Sequence, residues 1–144
     1  MRNPHDAPDD RAAALRYWRI WVAAGFVLVA FVVYLSVMHD PPQIPGDREN
    51  WLGHGMAYGS MMAWFARLAP AAPARRRFAL AFCAMGVALE FVQATTGYRT
   101  YDEHDMVANA CGVMLGWLAS PPRVPDGIGA VDAWLARMLG RLRG

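Results

Sequence analysis

The chain has no lysine, only two cysteines and no internal repeat among its 144 residues. Cys83 and Cys111 both fall inside apolar runs without metal-type spacing, which excludes a disulfide framework and leaves them as small packing residues. Charge is also missing from one long stretch, Ile20–Met38, which at about 1.5 Å per residue reaches roughly 28 Å, close to the hydrocarbon thickness of a bilayer. Helices of a soluble four-helix bundle keep a polar face, and this stretch has none. The net charge of +2 and pI near 8.8 would suit a nucleic-acid partner, but the positions of the arginines follow a simpler rule that excludes one.

Three more apolar runs follow the first: Trp51–Ala69, Phe78–Thr96 and Met106–Ala119, each bounded by Pro, Gly or charge. The pattern predicts an all-α integral membrane four-helix bundle with a C-terminal amphipathic interfacial helix. Residues 1–16 read as a polar cytoplasmic segment, 17–120 as the transmembrane domain and 121–144 as a cytoplasmic tail. The first run is flanked by Arg16 and Arg19 as a signal peptide would be. Its apolar core is too long for one, however, and no small-residue cleavage site precedes His39-Asp40-Pro41-Pro42, so a retained anchor is expected.

The arginines set an expected orientation. Arg2, Arg11, Arg16 and Arg19 precede the first span, Arg67, Arg75, Arg76 and Arg77 crowd the second connection, and Arg123, Arg137, Arg141 and Arg143 follow the fourth span. The first and third connections hold only Arg48 and Arg99. Arginine-rich short loops stay in the cytoplasm, which places both termini there and the loops 39–50 and 95–105 outside. Tyr17, Trp18, Trp21, Trp51, Tyr98 and Tyr101 stand at the span ends, where aromatic rings favour the headgroup region.

The fourth span is extended at its start by a capping box, Thr100 as N-cap and Glu103 reaching back, which predicts a helix over Tyr101–Ala119. In the tail, Val131, Trp134, Leu135, Met138, Leu139 and Leu142 form one apolar stripe with Arg137, Arg141 and Arg143 off it. A basic amphipathic helix of this kind lies on the cytoplasmic leaflet, with bundle capping or a dimer contact as the other readings.

Against this apolar background Glu90 is the residue that most needs explaining, since a carboxylate at membrane depth is costly unless paired or functional. His54, Glu90 and Asn109 all fall roughly 5–9 Å below one interface, on three different spans, with Arg99, Asp102 and Asp105 above them. Asp105, Asn109, Gly112 and Gly116 share one helical stripe, and Gly86, Glu90 and Gln93 share another. Packing of the third and fourth spans along these stripes, with Gly112 and Gly116 as a small-residue step, would deliver Glu90, Gln93, Asp105 and Asn109 to one pocket. His54 and Tyr58 offer the matching face of the second span, and the first span reads as an anchor only. The bland alternative is a hydrogen-bonded lock between helices, with Glu90 and Arg99 as a structural ion pair.

These residues carry a resemblance. The series Glu90-x2-Gln93-x5-Arg99-x5-Asp105-x3-Asn109-x2-Gly112-x3-Gly116 resembles the signature of the VanZ-like family of small bacterial membrane proteins, and His54-x3-Tyr58 resembles that family's earlier motif. The similarity covers about residues 45–118. Where the family usually has Asp-Lys this chain has Asn50-Trp51; Asp47-Arg48, about one helical turn earlier, is the candidate substitute, and without it any role needing that acidic–basic pair is lost. A proline common shortly before the arginine is missing as well. The resemblance implies a bacterial cytoplasmic (inner) membrane location, and the family takes its name from a protein linked to teicoplanin resistance. It does not fix a reaction.

Two functions of different class stay open. In the first, Tyr58, Gln93, Arg99, Asp105 and Asn109 bind a phosphate-bearing or lipid-linked envelope amphiphile, Arg99 gripping phosphate with its planar fork. In the second, a membrane enzyme acts on a lipid phosphate or ester, with His54 or Glu90 as general acid/base and Arg99 stabilising developing charge. A proton-coupled transporter ranks third; without a repeat it would need a homodimer to make a pathway. No Ser or Cys nucleophile stands beside a base, and no local ligand pair has metal spacing, so neither a covalent hydrolase nor a metal or other cofactor is expected.

Overall fold

Five α-helices and no strand form the described part of the computed structural model, residues 15–42, 44–46, 50–69 and 71–142. They are α1 (Trp18–Val37), α2 (Trp51–Leu68), α3 (Ala72–Thr95), α4 (Glu103–Leu118) and α5 (Gly127–Arg141). The expected Asp47-Arg48 substitute lies outside the described residues.

Two boundaries differ from those read off the chain. α3 begins at Ala72 rather than Phe78, because a proline in its first turn presets the helical φ and lacks only an N–H that the helix would leave unbonded. Arg75, Arg76 and Arg77 are therefore helical rather than loop residues. Arg75 is buried and its Nε donates to the Ala69 carbonyl at 3.3 Å, placing a cation at the C-terminus of α2 where the helix dipole favours it. α4 is capped by Asp102 rather than Thr100: the Asp102 carboxylate accepts the His104 N–H at 2.8 Å. The helix starts later than expected and, with 16 residues, is about 24 Å long.

α1 and α3 are long and apolar enough to cross a membrane. α4 is shorter, and α2 is diluted by glycines, His54 and Ser60. The polarity of the bundle is inverted relative to a water-soluble one. Phe26, Val27 and Phe31 of α1, Leu80 and Phe91 of α3, and Val107, Met114 and Leu115 of α4 are exposed, whereas His54, Glu90, Gln93, Asp105 and Asn109 are buried.

Antiparallel packing gives the bundle two distinct ends. At one, which we term the tail end, Trp64 Nε1 donates to the Trp21 carbonyl at 3.0 Å and the two indoles lie 5.8 Å apart. Phe65 packs on Phe26, Phe78 and Phe82, and with Met61, Met62 and Ala66 makes an apolar core. α5 is tied to this end. Asp132, 3% exposed, accepts from the Arg16 N–H (2.7 Å), the Tyr17 N–H (3.0 Å) and Trp21 Nε1 (2.8 Å). Asp126 caps α5 by accepting the Gly129 N–H and pairs with Arg67 of α2. Of the three expectations for the tail, capping of the bundle is the one with contacts, yet Val131, Trp134, Met138, Leu139 and Leu142 remain exposed along one stripe. At the opposite end, the site end, Gln93 Nε2 donates to the Ser36 carbonyl (2.7 Å) and the Tyr98 hydroxyl to the Val37 carbonyl (2.7 Å), fixing the end of α1.

The tightest helix pair is α2 with α4, not α3 with α4. A Cβ on Gly112 would strike the Gly55 carbonyl oxygen and one on Gly116 the Gly59 carbonyl oxygen, so these backbones touch with no side chain between them. Gly86, expected to serve the α3–α4 contact through its backbone, instead makes room for a side chain: a Cβ there would lie 3.0 Å from Asn109 Nδ2 and 3.3 Å from Tyr58.

Candidate functional site

The close approach of α2 and α4 determines what faces what at the site end. His54 stands in the first turn of α2, where its N–H donates to the Asn50 carbonyl at 3.1 Å, Asn50 itself taking a left-handed φ of 59°. With Gly55 and Gly59 against α4, the neighbouring face of α2 carries His54 toward Asp105 and Asn109, which lie on the same stripe as Gly112 and Gly116. His54 Nε2 lies 3.2 Å from Asp105 Oδ2, and His54 Nδ1 lies 3.0 Å from Asn109 Oδ1. An amide oxygen only accepts, so Nδ1 carries the proton and donates to it. Glu90 of α3 completes the cluster; it is 1% exposed and its Oε2 accepts the Asp102 N–H at 3.2 Å. Ligand atoms of His54, Glu90 and Asp105 all lie within 4.8 Å of one another.

A cavity of about 110 Å³ adjoins this cluster through His54. Val32, Leu35, Pro41, Pro42 and Ala57 give it an apolar wall, and Asn50, His54, Tyr58 and Arg99 give it polar groups. Arg99 is half-buried, and among the described residues it forms no ion pair within 4.0 Å. The Glu90–Arg99 ion pair of the alternative, a structural lock, is therefore not made: the Asp102 backbone N–H donates to the Glu90 carboxylate instead.

The structure brings together His54, Glu90, Asp105 and Asn109, with Tyr58 and Arg99 on the adjoining cavity. Gln93 does not join them. Its Nε2 donates to the Ser36 carbonyl, a tie between α3 and α1. α1 is more than an anchor, since Val32, Leu35 and Ser36 form one side of the cavity. Gly55 and Gly59 were legible as a second glycine pair at the same spacing as Gly112 and Gly116, and mark the partner helix. Asp132 shows no such signal in the chain, where it reads as one more polar residue of an amphipathic helix.

Above the cluster, Asp102 is exposed, and the His104 backbone N–H followed by the His104 ring hold its carboxyl below the usual carboxylate range. It stays ionised at neutral pH and keeps α4 capped, which in turn holds Asp105 one turn below in register.

No family model, curated protein or solved structure matches this chain.

Proposed function

We propose that the protein is a VanZ-like four-span membrane protein with both termini cytoplasmic, whose outward-facing site end binds a phosphate-bearing, lipid-linked amphiphile. The observation that carries this reading is the cavity with an apolar wall from α1 and the 39–42 segment and a single half-buried arginine, Arg99, at its polar side. Such a division suits a molecule with an acyl or prenyl chain and a phosphate, because a guanidinium offers a fork of donors matched to phosphate oxygens. At about 110 Å³ the cavity takes a phosphate group and the first atoms of a chain, so a sugar or peptide head would project from it. The apolar exterior of α1, α3 and α4 supports a bilayer setting.

The test is the lipid that accompanies the purified protein. Mass spectrometry of detergent extracts should find a phosphate-bearing lipid with the wild type and much less with Arg99→Ala at equal protein yield. Equal lipid in both would remove Arg99 from the reading. A link to glycopeptide tolerance rests on the resemblance alone; expression in a susceptible strain, with teicoplanin growth inhibition as readout, tests it separately.

One observation favours a second reading, hydrolysis of a phosphate ester: His54 belongs both to the cavity lining and to the carboxylate cluster. It would then act as general acid/base, with Arg99 stabilising charge on phosphate oxygens. Release of a new product from labelled polyprenyl or glycerol phospholipids, lost in His54→Gln, distinguishes an enzyme from a binding protein.

A further inference from the structure

We infer that His54, Glu90 and Asp105 form a binding site for one first-row divalent cation, zinc being the best match. Each of three helices gives one donor, an imidazole nitrogen and two carboxylate oxygens, and all three residues are buried. The spacing along the chain could not disclose this set, because the donors are 36 and 15 residues apart and meet only when α2, α3 and α4 pack.

The orientation of His54 carries the argument. With Nδ1–H donated to Asn109 Oδ1, the lone pair of Nε2 points at Asp105 Oδ2, 3.2 Å away. Two electron-rich atoms at that distance need a positive charge between them. A proton would supply one there, but Glu90 would then need a proton of its own to become neutral. A divalent cation neutralises both carboxylates. Metal-bound imidazoles characteristically give their other N–H to an oxygen that fixes the ring, which is the role Asn109 fills. Glu90 is held in a comparable way: the Asp102 N–H occupies Oε2 and leaves Oε1 for a ligand bond.

Geometry and donor chemistry select the ion. Zinc bonds of about 2.0–2.2 Å in a tetrahedral set put neighbouring donors roughly 3.3–3.5 Å apart. The His54–Asp105 separation of 3.2 Å is already close to that, and the other donor separations all lie within 4.8 Å, so the carboxylates would have to draw in by at most about 1.5 Å. An imidazole donor disfavours magnesium and calcium, and the lack of a thiolate in the set disfavours copper(I). Three protein donors leave a fourth position for water or a ligand oxygen.

The inference does not rest on the amphiphile reading, and its test uses no lipid ligand. Full-length protein in detergent is stripped with a chelator and titrated with Co²⁺, followed by visible absorption, Zn²⁺ competition and elemental analysis. One equivalent should bind, with affinity falling at least tenfold in Glu90→Gln and in Asp105→Asn, and with no change in His39→Gln, an exposed histidine outside the donor set. Absence of binding to the wild type overturns the site, as does loss in His39→Gln or unaltered affinity in Glu90→Gln. Because a variant could fail to fold, the wild type alone supplies a further readout. Its melting temperature should rise with Zn²⁺ and not with Mg²⁺; equal responses to the two ions overturn the inference.

Discussion

α2 is two helices in one. Its first half presents His54 and Tyr58 to a cluster of buried carboxylates and amides, while its second half presents Met61, Met62, Phe65 and Leu68 to a core of phenylalanines. Both halves pack against α1 and α3, so packing on those helices alone does not require polarity at one end. The arginines tell the same story. Arg67, at the tail end, lines a cavity of about 320 Å³ but is engaged by Asp126, whereas Arg99, at the site end, lines a smaller cavity with no carboxylate within 4.0 Å among the described residues. Where charge serves architecture it is matched inside the chain. Where it is left facing a cavity, it is available to something else.

The contrast can be broken from either side. The largest effect is expected from Gly116→Leu, because the new side chain would meet the Gly59 backbone, which cannot yield as a side chain would. Overpacking ordinarily costs about 1–3 kcal/mol, and a backbone clash lies at or beyond the upper end. The yield of folded protein, measured by size-exclusion fluorescence, should be almost lost; normal yield would mean that α2 and α4 are further apart. Phe65→Ala comes next, removing a 3% exposed ring that touches three others, at about 3 kcal/mol in thermal or denaturant unfolding.

Asp132→Asn should cost less, about 1–2 kcal/mol, since the amide keeps one acceptor for three donors. Burial by itself would push the Asp132 carboxyl up, but the donors from Trp21, Arg16 and Tyr17 outweigh it and leave it below its ordinary 3.8. A lowered folded-state value stabilises docking of α5 above about pH 3.8, including at neutral pH. That stabilisation is lost only as the pH falls through the lowered value. Trp21 fluorescence followed through acid titration should show this change, and Asp132→Asn should abolish it. The smallest stability effect, below about 1 kcal/mol, is expected for Glu90→Gln, as the amide keeps an oxygen for the Asp102 N–H and removes a charge that burial disfavours. If Glu90→Gln instead vanished from membranes, the site end would be a lock like the tail end and the comparison would collapse.

Much of this was legible in the chain because helical periodicity is local. The stripe Asp105–Asn109–Gly112–Gly116 needs only a 3.6-residue repeat to be read, and the expected meeting of Glu90, Asp105 and Asn109 with His54 followed from two such stripes and a shared depth. Depth does not say which helices are neighbours. Gln93 shared a face with Glu90 yet turned to α1, because α3 packs against α1 as well as α4. The start of α3 was misplaced because three consecutive arginines read as a loop, although a proline just before them was the better helix-start signal. Asp132 was invisible for a different reason. Its three donors lie more than 110 residues earlier, a separation that no spacing rule spans.

Direct backbone contact between the Gly55–Gly59 and Gly112–Gly116 segments has a mechanical consequence. Two rods joined without intervening side chains have little room to slide, so α2 and α4 form a stator. The wall of the Arg99 cavity that can swing is α1, pinned at that end by two side-chain bonds to its last carbonyls, from Gln93 and Tyr98. Widening the cavity on that side means breaking both bonds, which ties its width to Gln93 and Tyr98 although neither lines it.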